Sequence, residues 1–164
     1  MFQPGEYVFY GRTGVCRVDG IEENNGKKFY RLTPMYQQCS ILTPVGGKTY
    51  LRPILRRAEV DALIDRLPAL DAKPVGAKAQ RELTTRYQSV LSVPDTENLA
   101  LLSMSIYLKK QSLLQEKRKL GAIDERFQRE AESLLFGELA AALDIAPGDV
   151  PGYIQARLEK SGHS

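Results

Sequence analysis

The spacing of apolar residues changes near residue 55 of this 164-residue chain, and that change limits the folds it can adopt. Before that point, short runs rich in β-branched and aromatic residues alternate with glycines, as in strands joined by tight turns. After it, apolar residues recur every three or four positions, as they do along one face of a helix. The sequence therefore predicts an α+β chain, with a small antiparallel sheet followed by an all-α helical part.

Four runs in the first part have the composition of strands, at residues 7–10, 14–18, 28–32 and 40–43. Asn24-Asn25-Gly26 lies between two apolar runs, and because Asn and Gly tolerate a positive φ, this tripeptide predicts a hairpin turn. Frequent turns between such short strands are typical of a strongly bent sheet or a partly closed barrel.

The second part contains apolar stripes that predict four helices and a short fifth one. The Lys117-Arg118-Lys119 triplet followed by Gly121 is typical of a helix end, and places the end of the third helix near Leu120. The predicted helices cover about residues 60–67, 79–91, 96–120, 123–143 and 150–158. We therefore divide the chain into a β domain at 1–54, a helix and linker at 55–75, and a helical domain at 76–164.

Residues able to carry chemistry are few. Cys16 and Cys39 are the only cysteines, and His163 is the sole histidine, next to the last residue. A Cys/His zinc site needs about four ligands, and no Walker A or dinucleotide-binding glycine pattern occurs. We expect both cysteines to be buried thiols within strands, with a disulfide as the alternative. No catalytic residue, metal site or cofactor is predicted.

The chain also lacks the features of a secreted or membrane protein. Its N-terminus has no basic segment followed by an apolar core, and no apolar run is long enough to span a bilayer. We therefore expect a cytoplasmic protein without membrane contact.

Charge is unevenly distributed along the chain. Residues 73–129 carry 11 basic and 6 acidic side chains, whereas residues 130–164 carry 2 basic and 6 acidic ones. A basic helical surface either contacts nucleic-acid phosphates or is simply solvated, and the charge pattern leaves both interpretations open. The carboxylate pairs Asp61/Asp65 and Glu130/Glu132 are expected on solvated helix faces, because nothing in their spacing suggests a catalytic pocket.

Most aromatic residues fall in the β part. They form either the core of a small sheet or an aromatic surface that binds a peptide or a base. The residues concerned are Tyr7, Tyr10, Phe29, Tyr30, Tyr36 and Tyr50.

Several short motifs follow one another in order along the chain. In the first part they are Phe2-x-Pro4-Gly5-Glu6-x-Val8-x-Tyr10, Gly14-Val15-x-x-Val18, Phe29-Tyr30-x-Leu32, Ile41-Leu42-x-Pro44-Val45 and Leu51-Arg52-Pro53-Ile54. In the second part they are Arg86-Tyr87-x-x-x-Leu91 and Gly137-Glu138-Leu139-Ala140. Together they resemble the CarD/CdnL transcription regulators over about residues 2–143. The first part also resembles the RNA-polymerase-interacting domain of the transcription-repair coupling factor.

This resemblance implies a Tudor-like β domain that binds the β subunit of bacterial RNA polymerase by pairing of an edge strand. An exposed strand edge offers unpaired N–H and C=O groups to a partner strand. The candidate edge consists of Ser40, Ile41, Leu42 and Thr43, with Arg31 as a flanking contact. Because side chains alternate along a strand, only one of Ile41 and Leu42 needs to face outward.

The resemblance also implies that the helical part contacts promoter DNA, without reading its sequence, at the upstream edge of the melted bubble. A family tryptophan acts there as a minor-groove wedge, whereas this chain has no tryptophan and has Leu83 at the matching position. Leucine can serve as an apolar wedge. Lys78, Arg81 and Arg86 are the candidate phosphate contacts. Leu83 shares a helical stripe with Tyr87, so a role in the core is the alternative.

We therefore predict a bacterial transcription regulator, not an enzyme, that binds RNA polymerase and modulates open-complex formation. The main alternative is an adaptor whose helices bind another protein and never DNA, so that charge reversal at Lys78, Arg81 and Arg86 would leave its function intact. An enzyme with a carboxylate-only site would require a buried pair of acids, which the spacing does not suggest.

Overall fold

The computed structural model describes residues 1–74 and 80–160. In this part of the chain, five antiparallel strands form one sheet and five helices follow, so the predicted α+β class is confirmed. The strands are β1 (Tyr7–Tyr10), β2 (Gly14–Asn24), β3 (Lys27–Pro34), β4 (Ile41–Pro44) and β5 (Leu51–Pro53). The helices are α1 (Arg57–Arg66), α2 (Gln80–Ser92), α3 (Thr96–Gln115), α4 (Ala122–Leu143) and α5 (Val150–Lys160).

The strands follow the order β4-β3-β2-β1-β5, which leaves β4 and β5 at the two edges. The predicted hairpin joins β2 to β3, and its turn residues Asn25 and Gly26 have φ angles of 51° and 78°. β2 extends beyond the predicted run, with a shift in register between Val18 and Gly20. β5 was not predicted, because a three-residue strand that ends in proline is too short to show an alternating pattern.

The sheet is buried on both faces at β1, where Val8 and Phe9 are both fully buried. Successive residues of a strand point to opposite faces, so these two side chains enter different cores. Phe9 and Val15 join the core of the helices, whereas Val8 lies in a second cluster on the opposite face of the sheet, which we call the inner cluster. The buried members of this inner cluster are Val8, Cys16, Val18, Tyr30 and Leu32.

The helical core follows the predicted stripes. In α2 the buried residues are Leu83, Tyr87 and Leu91, and the ring of Tyr87 lies 5.1 Å from that of Phe127 in α4. Ala79, which was predicted on the same stripe, lies outside the described residues. α4 buries residues along nearly its whole length, so it is the central helix of this core.

α3 ends at Gln115, before the end predicted near Leu120. Lys117 takes a left-handed φ of 58°, and the N–H of Arg118 donates to the carbonyl of Leu113 at 2.7 Å. Such a left-handed residue closes a helix by bonding its last carbonyls. The prediction was wrong because the basic triplet lies in the turn after the helix, and Gly121 is instead the N-cap of α4.

α4 packs closely against the β part. A Cβ atom at Gly14 would lie 3.2 Å from Cδ2 of Leu134, and one at Gly137 would lie 3.0 Å from Cε2 of Tyr36. The hydroxyl of Tyr36 donates to the carbonyl of Gly137 at 2.8 Å. The two glycines therefore allow the helix to approach the β part closely.

Three of the four carboxylates expected on solvated helix faces also bond to residues in other parts of the chain. In α1, Asp61 accepts a hydrogen bond of 2.6 Å from the hydroxyl of Tyr153, and Asp65 pairs with Arg157 at 2.9 Å. In α4, Glu130 accepts two bonds of 2.8 Å from Arg12. The side chains of Asp61, Asp65 and Glu130 keep solvent access, as expected. Their partners could not be predicted, because helical periodicity does not show which surface of a neighbouring element lies opposite.

The two cysteines differ in their surroundings. Cys16 is fully buried in β2, and burial raises the pKa of its thiol to about 12. Cys39 is exposed in the loop before β4, so the prediction that it is buried within a strand was wrong. The two thiols are not joined by a disulfide.

Candidate functional site

The outer side of β4 is an unpaired strand edge. β4 pairs with β3 on one side, and no strand of the described part of the chain pairs with the other. The N–H of Val45 donates to the carbonyl of Lys28 at 3.0 Å, which fixes the phase of the ladder. Bonded and non-bonded pairs alternate in an antiparallel ladder, so the N–H and C=O of Leu42 point away from β3.

The side chains of β4 point alternately to the outer and the inner face of the sheet. Leu42 is 55% exposed, whereas Thr43 is 4% exposed and Ile41 packs on the inner cluster. Leu42 is therefore the residue that faces outward. Thr43 lies opposite Tyr30 and its side chain is buried, so within the edge strand it contributes backbone but no exposed side chain. Ser40 is exposed immediately before the strand.

Arg31 lies directly across from Leu42 in the β3–β4 ladder, on the same exposed face. Its Nη1 is 2.6 Å from Oε1 of Glu22, and both side chains are close to half exposed. Two residues along β3, Thr33 donates a hydrogen bond to Asp19. Hydrogen bonds from Thr33 and Arg17 lower the pKa of the Asp19 carboxyl. The edge therefore offers one apolar side chain beside a row of paired charges.

The predicted DNA contacts do not form one compact site. Arg81 and Arg86 are both exposed on α2, but they are five positions apart, which places them about 140° apart around the helix. Leu83 is 6% exposed in the core, which is the alternative that the sequence left open for it. Lys78 lies outside the described residues.

A buried polar network, which was not predicted from the sequence, includes a side chain of α2. Asp124 is 3% exposed, accepts a hydrogen bond from the hydroxyl of Tyr87, and lies 2.8 Å from Nζ of Lys109. Burial and this hydrogen bond raise the pKa of Tyr87. The network joins α2, α3 and α4, and thereby holds the helix that carries Arg81 and Arg86.

A second missed network joins the sheet to the helices. Glu138 is fully buried in α4 and accepts bonds of 2.6 and 2.8 Å from the two terminal nitrogens of Arg52 in β5. It also accepts from the N–H of Leu55 at 3.0 Å and from the hydroxyl of Thr96 at 2.7 Å. Burial lowers the pKa of Arg52, but the hydrogen bonds and charge of Glu138 outweigh this effect and raise it.

The sequence did contain a signal for this pair. Glu138 lies on the same apolar stripe as Leu134 and Leu135, and a carboxylate on a buried stripe requires a partner. Both members also occur in the motifs that carry the family resemblance, Leu51-Arg52-Pro53-Ile54 and Gly137-Glu138-Leu139-Ala140.

Neither a metal centre nor a membrane span emerges from the described residues. No group of three or more His, Cys, Asp or Glu side chains in them could hold a metal ion. No helix among them is both long and apolar enough to cross a bilayer.

Comparison with known families identifies the first third of the chain. Residues 2–55 match the CarD-like/TRCF RID domain, and this match covers the whole sheet. The match ends before α1, so it does not extend to the helices. No curated protein matches the chain. The resemblance predicted for the β part is confirmed: residues 2–55 are similar to the CarD-like/TRCF RID family, whose domain interacts with RNA polymerase.

Proposed function

We propose that this protein is a bacterial transcription regulator whose RID domain binds the β subunit of RNA polymerase through the outer edge of β4. The observation that carries this proposal is the unpaired edge at Leu42, whose backbone N–H and C=O point away from β3. A partner strand would complete the ladder with main-chain hydrogen bonds, which contribute affinity independently of side-chain identity.

Side chains next to this edge supply the selectivity. Leu42 offers an apolar contact, and Arg31 with Glu22 presents a charge pair on the same face. Ser40 lies two residues before Leu42, so its backbone N–H and C=O also point away from β3 and lengthen the exposed edge. The side chains of Ile41 and Thr43 pack inward, so they contribute indirectly by holding β4 in register.

Proline at position 42 tests the edge directly. The N–H of Leu42 points away from β3, so Leu42→Pro removes a donor to the partner while leaving the β3–β4 bonds intact. Pro44 already occupies the equivalent position of the ladder two residues along. We expect Leu42→Pro to weaken binding to purified RNA polymerase by at least about tenfold in biolayer interferometry.

The matched control is Leu42→Ala, which keeps the N–H and removes only the apolar side chain. We expect it to weaken binding by only about threefold to tenfold. Both variants should retain the thermal midpoint of the parent protein within a few degrees. Unchanged polymerase binding by a folded Leu42→Pro variant would show that the contact lies elsewhere.

We further propose that the helical part contacts promoter DNA without reading its sequence and thereby shifts the balance between closed and open complexes. Arg81 and Arg86 of α2 supply phosphate contacts in this proposal, together with Lys78. Such contacts change an equilibrium only if one promoter state is bound better than the other. Leu83 has no part in it, since its side chain is in the core.

Charge reversal separates this role from that of a protein adaptor. We expect Arg81→Glu with Arg86→Glu to weaken the polymerase–promoter complex and to reduce the salt dependence of log K by about two units, one for each lost phosphate contact. Lys160→Glu on α5 is the control, because it changes an exposed charge far along the chain. If salt titrations of the double variant and the parent coincide, the adaptor alternative is correct.

A further inference from the structure

α3 has apolar residues on more sides than its core contacts require. Leu99, Leu102 and Ile106 are buried in the helical core, yet Tyr107 and Leu114 are 54% and 49% exposed. These two residues are seven positions apart, so they lie on one side of α3 two turns from each other. Large apolar side chains that remain exposed next to each other are typical of a surface that a partner covers. The exposed side of α3 is therefore the surface that a partner would cover.

A groove between α3 and α4 begins at this exposed side. Its volume is about 490 Å³. Two leucines give it an apolar floor, three cations border it, and one carboxylate and one amide complete the lining. The lining residues are Lys110, Leu114, Lys119, Leu120, Glu125, Gln128 and Arg129.

The groove carries a net positive charge. Lys110, Lys119 and Arg129 outnumber the single lining carboxylate of Glu125. None of the three cations forms an ion pair within the described part of the chain; the ion pairs near this end of the bundle involve other residues, such as Lys109 with Asp124. Burial raises the pKa of Glu132, and the nearby charge of Lys110 offsets this rise only in part. Apolar contacts and positive charge are thus available side by side.

We propose that this groove binds an acidic amphipathic helix of another protein. Apolar side chains spaced at i, i+3 or i+4, and i+7 would cover Leu114, Leu120 and Tyr107, as in other helix-in-groove complexes. Carboxylates on the flanks of the same helix would pair with the bordering cations. A nucleic-acid backbone would satisfy the cations but leave the leucine floor uncovered. This surface is separate from the β4 edge and from α2.

A second copy of the chain does not fit this groove. In a two-fold dimer the same surface meets itself, so the cations of one copy would face those of the other. Like charges placed opposite each other at an interface disfavour association. The occupant must therefore carry charge of the opposite sign.

The test uses a designed peptide as the probe. The peptide is a fluorescein-labelled helix of about five turns, with leucines on one face and glutamates on the remainder. A second peptide has the same composition, with its leucines spread evenly around the helix. We expect the patterned peptide to bind the full chain about tenfold more tightly than the second peptide in fluorescence anisotropy.

Variants of the protein then locate the site. Leu114→Asp, and separately the set Lys110→Glu, Lys119→Glu and Arg129→Glu, should each weaken peptide binding by about tenfold. Leu114→Met keeps the apolar floor and should bind as the parent does. The α2 reversals Arg81→Glu and Arg86→Glu should leave peptide binding unchanged, which separates this site from the DNA contact proposed above. Circular dichroism establishes that each variant is folded.

Two results would overturn the proposal. One is equal affinity for the two peptides, which would mean that the apolar pattern is not recognised. The other is displacement of the peptide by a short DNA duplex whose own binding is lost in the groove reversals, which would assign the groove to nucleic acid. Neither result would bear on polymerase binding by the β4 edge, which Leu42→Pro tests.

Discussion

Replacing Glu138 with alanine should destabilise the protein by about 3–5 kcal/mol in urea denaturation followed by circular dichroism. The substitution leaves the guanidinium of Arg52, whose side chain is 16% exposed, without its carboxylate partner. It also removes the acceptor for the N–H of Leu55 and the hydroxyl of Thr96. The cost is therefore that of an uncompensated buried charge together with two orphaned donors.

Glu130→Ala is the matched control, because Glu130 also lies in α4 and also accepts two bonds from an arginine of the β part. That pair is solvent-accessible, with side-chain exposures of 41% for Arg12 and 27% for Glu130, so we expect it to contribute about 1 kcal/mol or less. Equal losses of stability in Glu138→Ala and Glu130→Ala would contradict the assignment of Glu138 as the main polar link between the sheet and the helices.

The double variant Arg52→Met with Glu138→Leu completes the cycle. It removes both charges at once and leaves no unpaired charge, while the N–H of Leu55 and the hydroxyl of Thr96 lose their acceptor as they do in Glu138→Ala. The double variant should therefore be more stable than Glu138→Ala. A double variant as unstable as Glu138→Ala would show that packing, and not the unpaired charge, determines the loss.

Phe9→Ala is expected to cost about 3–5 kcal/mol in the same denaturation experiment. Phe9 is fully buried, lies opposite Val15, and has the guanidinium of Arg52 at 4.4 Å from its ring centroid. Although it belongs to β1, its side chain lies in the core of the helices. The cavity left by the ring would therefore weaken the sheet and the helices together, and both should unfold in one transition at a lower urea concentration.

Tyr7→Ala is the control for this prediction. Tyr7 lies in the same strand on the same side, but it is 39% exposed and should cost only about 1 kcal/mol. If Phe9→Ala lowers the stability of the sheet while the helices unfold at the parent midpoint, the shared core is not the main link between the two parts.

Local patterns were sufficient to predict much of the fold. The hairpin at Asn25-Gly26 follows from the tolerance of these residues for positive φ, which is a property of the two residues themselves. The start of α3 follows from Asp95, whose side chain accepts from the N–H of Glu97 at 2.9 Å. Both features involve only residues next to each other in the chain, so the sequence contains all of the relevant information.

The end of α3 shows where such reasoning is insufficient. A basic triplet followed by glycine is compatible with an end at either side of the triplet, and the left-handed Lys117 decides between them. The prediction for Cys39 was wrong for a similar reason. The short run around it has the composition of a strand, but no strand among the described residues pairs with it. In both cases the outcome depends on the path of the next segment.

The candidate site was found in part. The edge at residues 40–43 was predicted from a short β-like run and the family resemblance, but alternation alone could not decide whether Ile41 or Leu42 faces outward. The phase of the β3–β4 ladder decides it. Leu83 was ambiguous for a similar reason, since an apolar residue on a helical stripe lies either in a core or on a binding surface.

The amino-acid sequence by itself determined the order of sheet and helices, the hairpin, the stripes of α2 and α4, and the run that becomes β4. Only the tertiary structure decided that Arg52 pairs with Glu138 and that Phe9 packs among the helices. It also decided that Leu83 is buried, whereas Tyr107 and Leu114 remain exposed. The physical reason is the distance along the chain between the residues that interact. Turn preferences and periodicity act between neighbours, whereas burial and charge pairing are set by segments more than 80 residues apart, as are β5 and the end of α4.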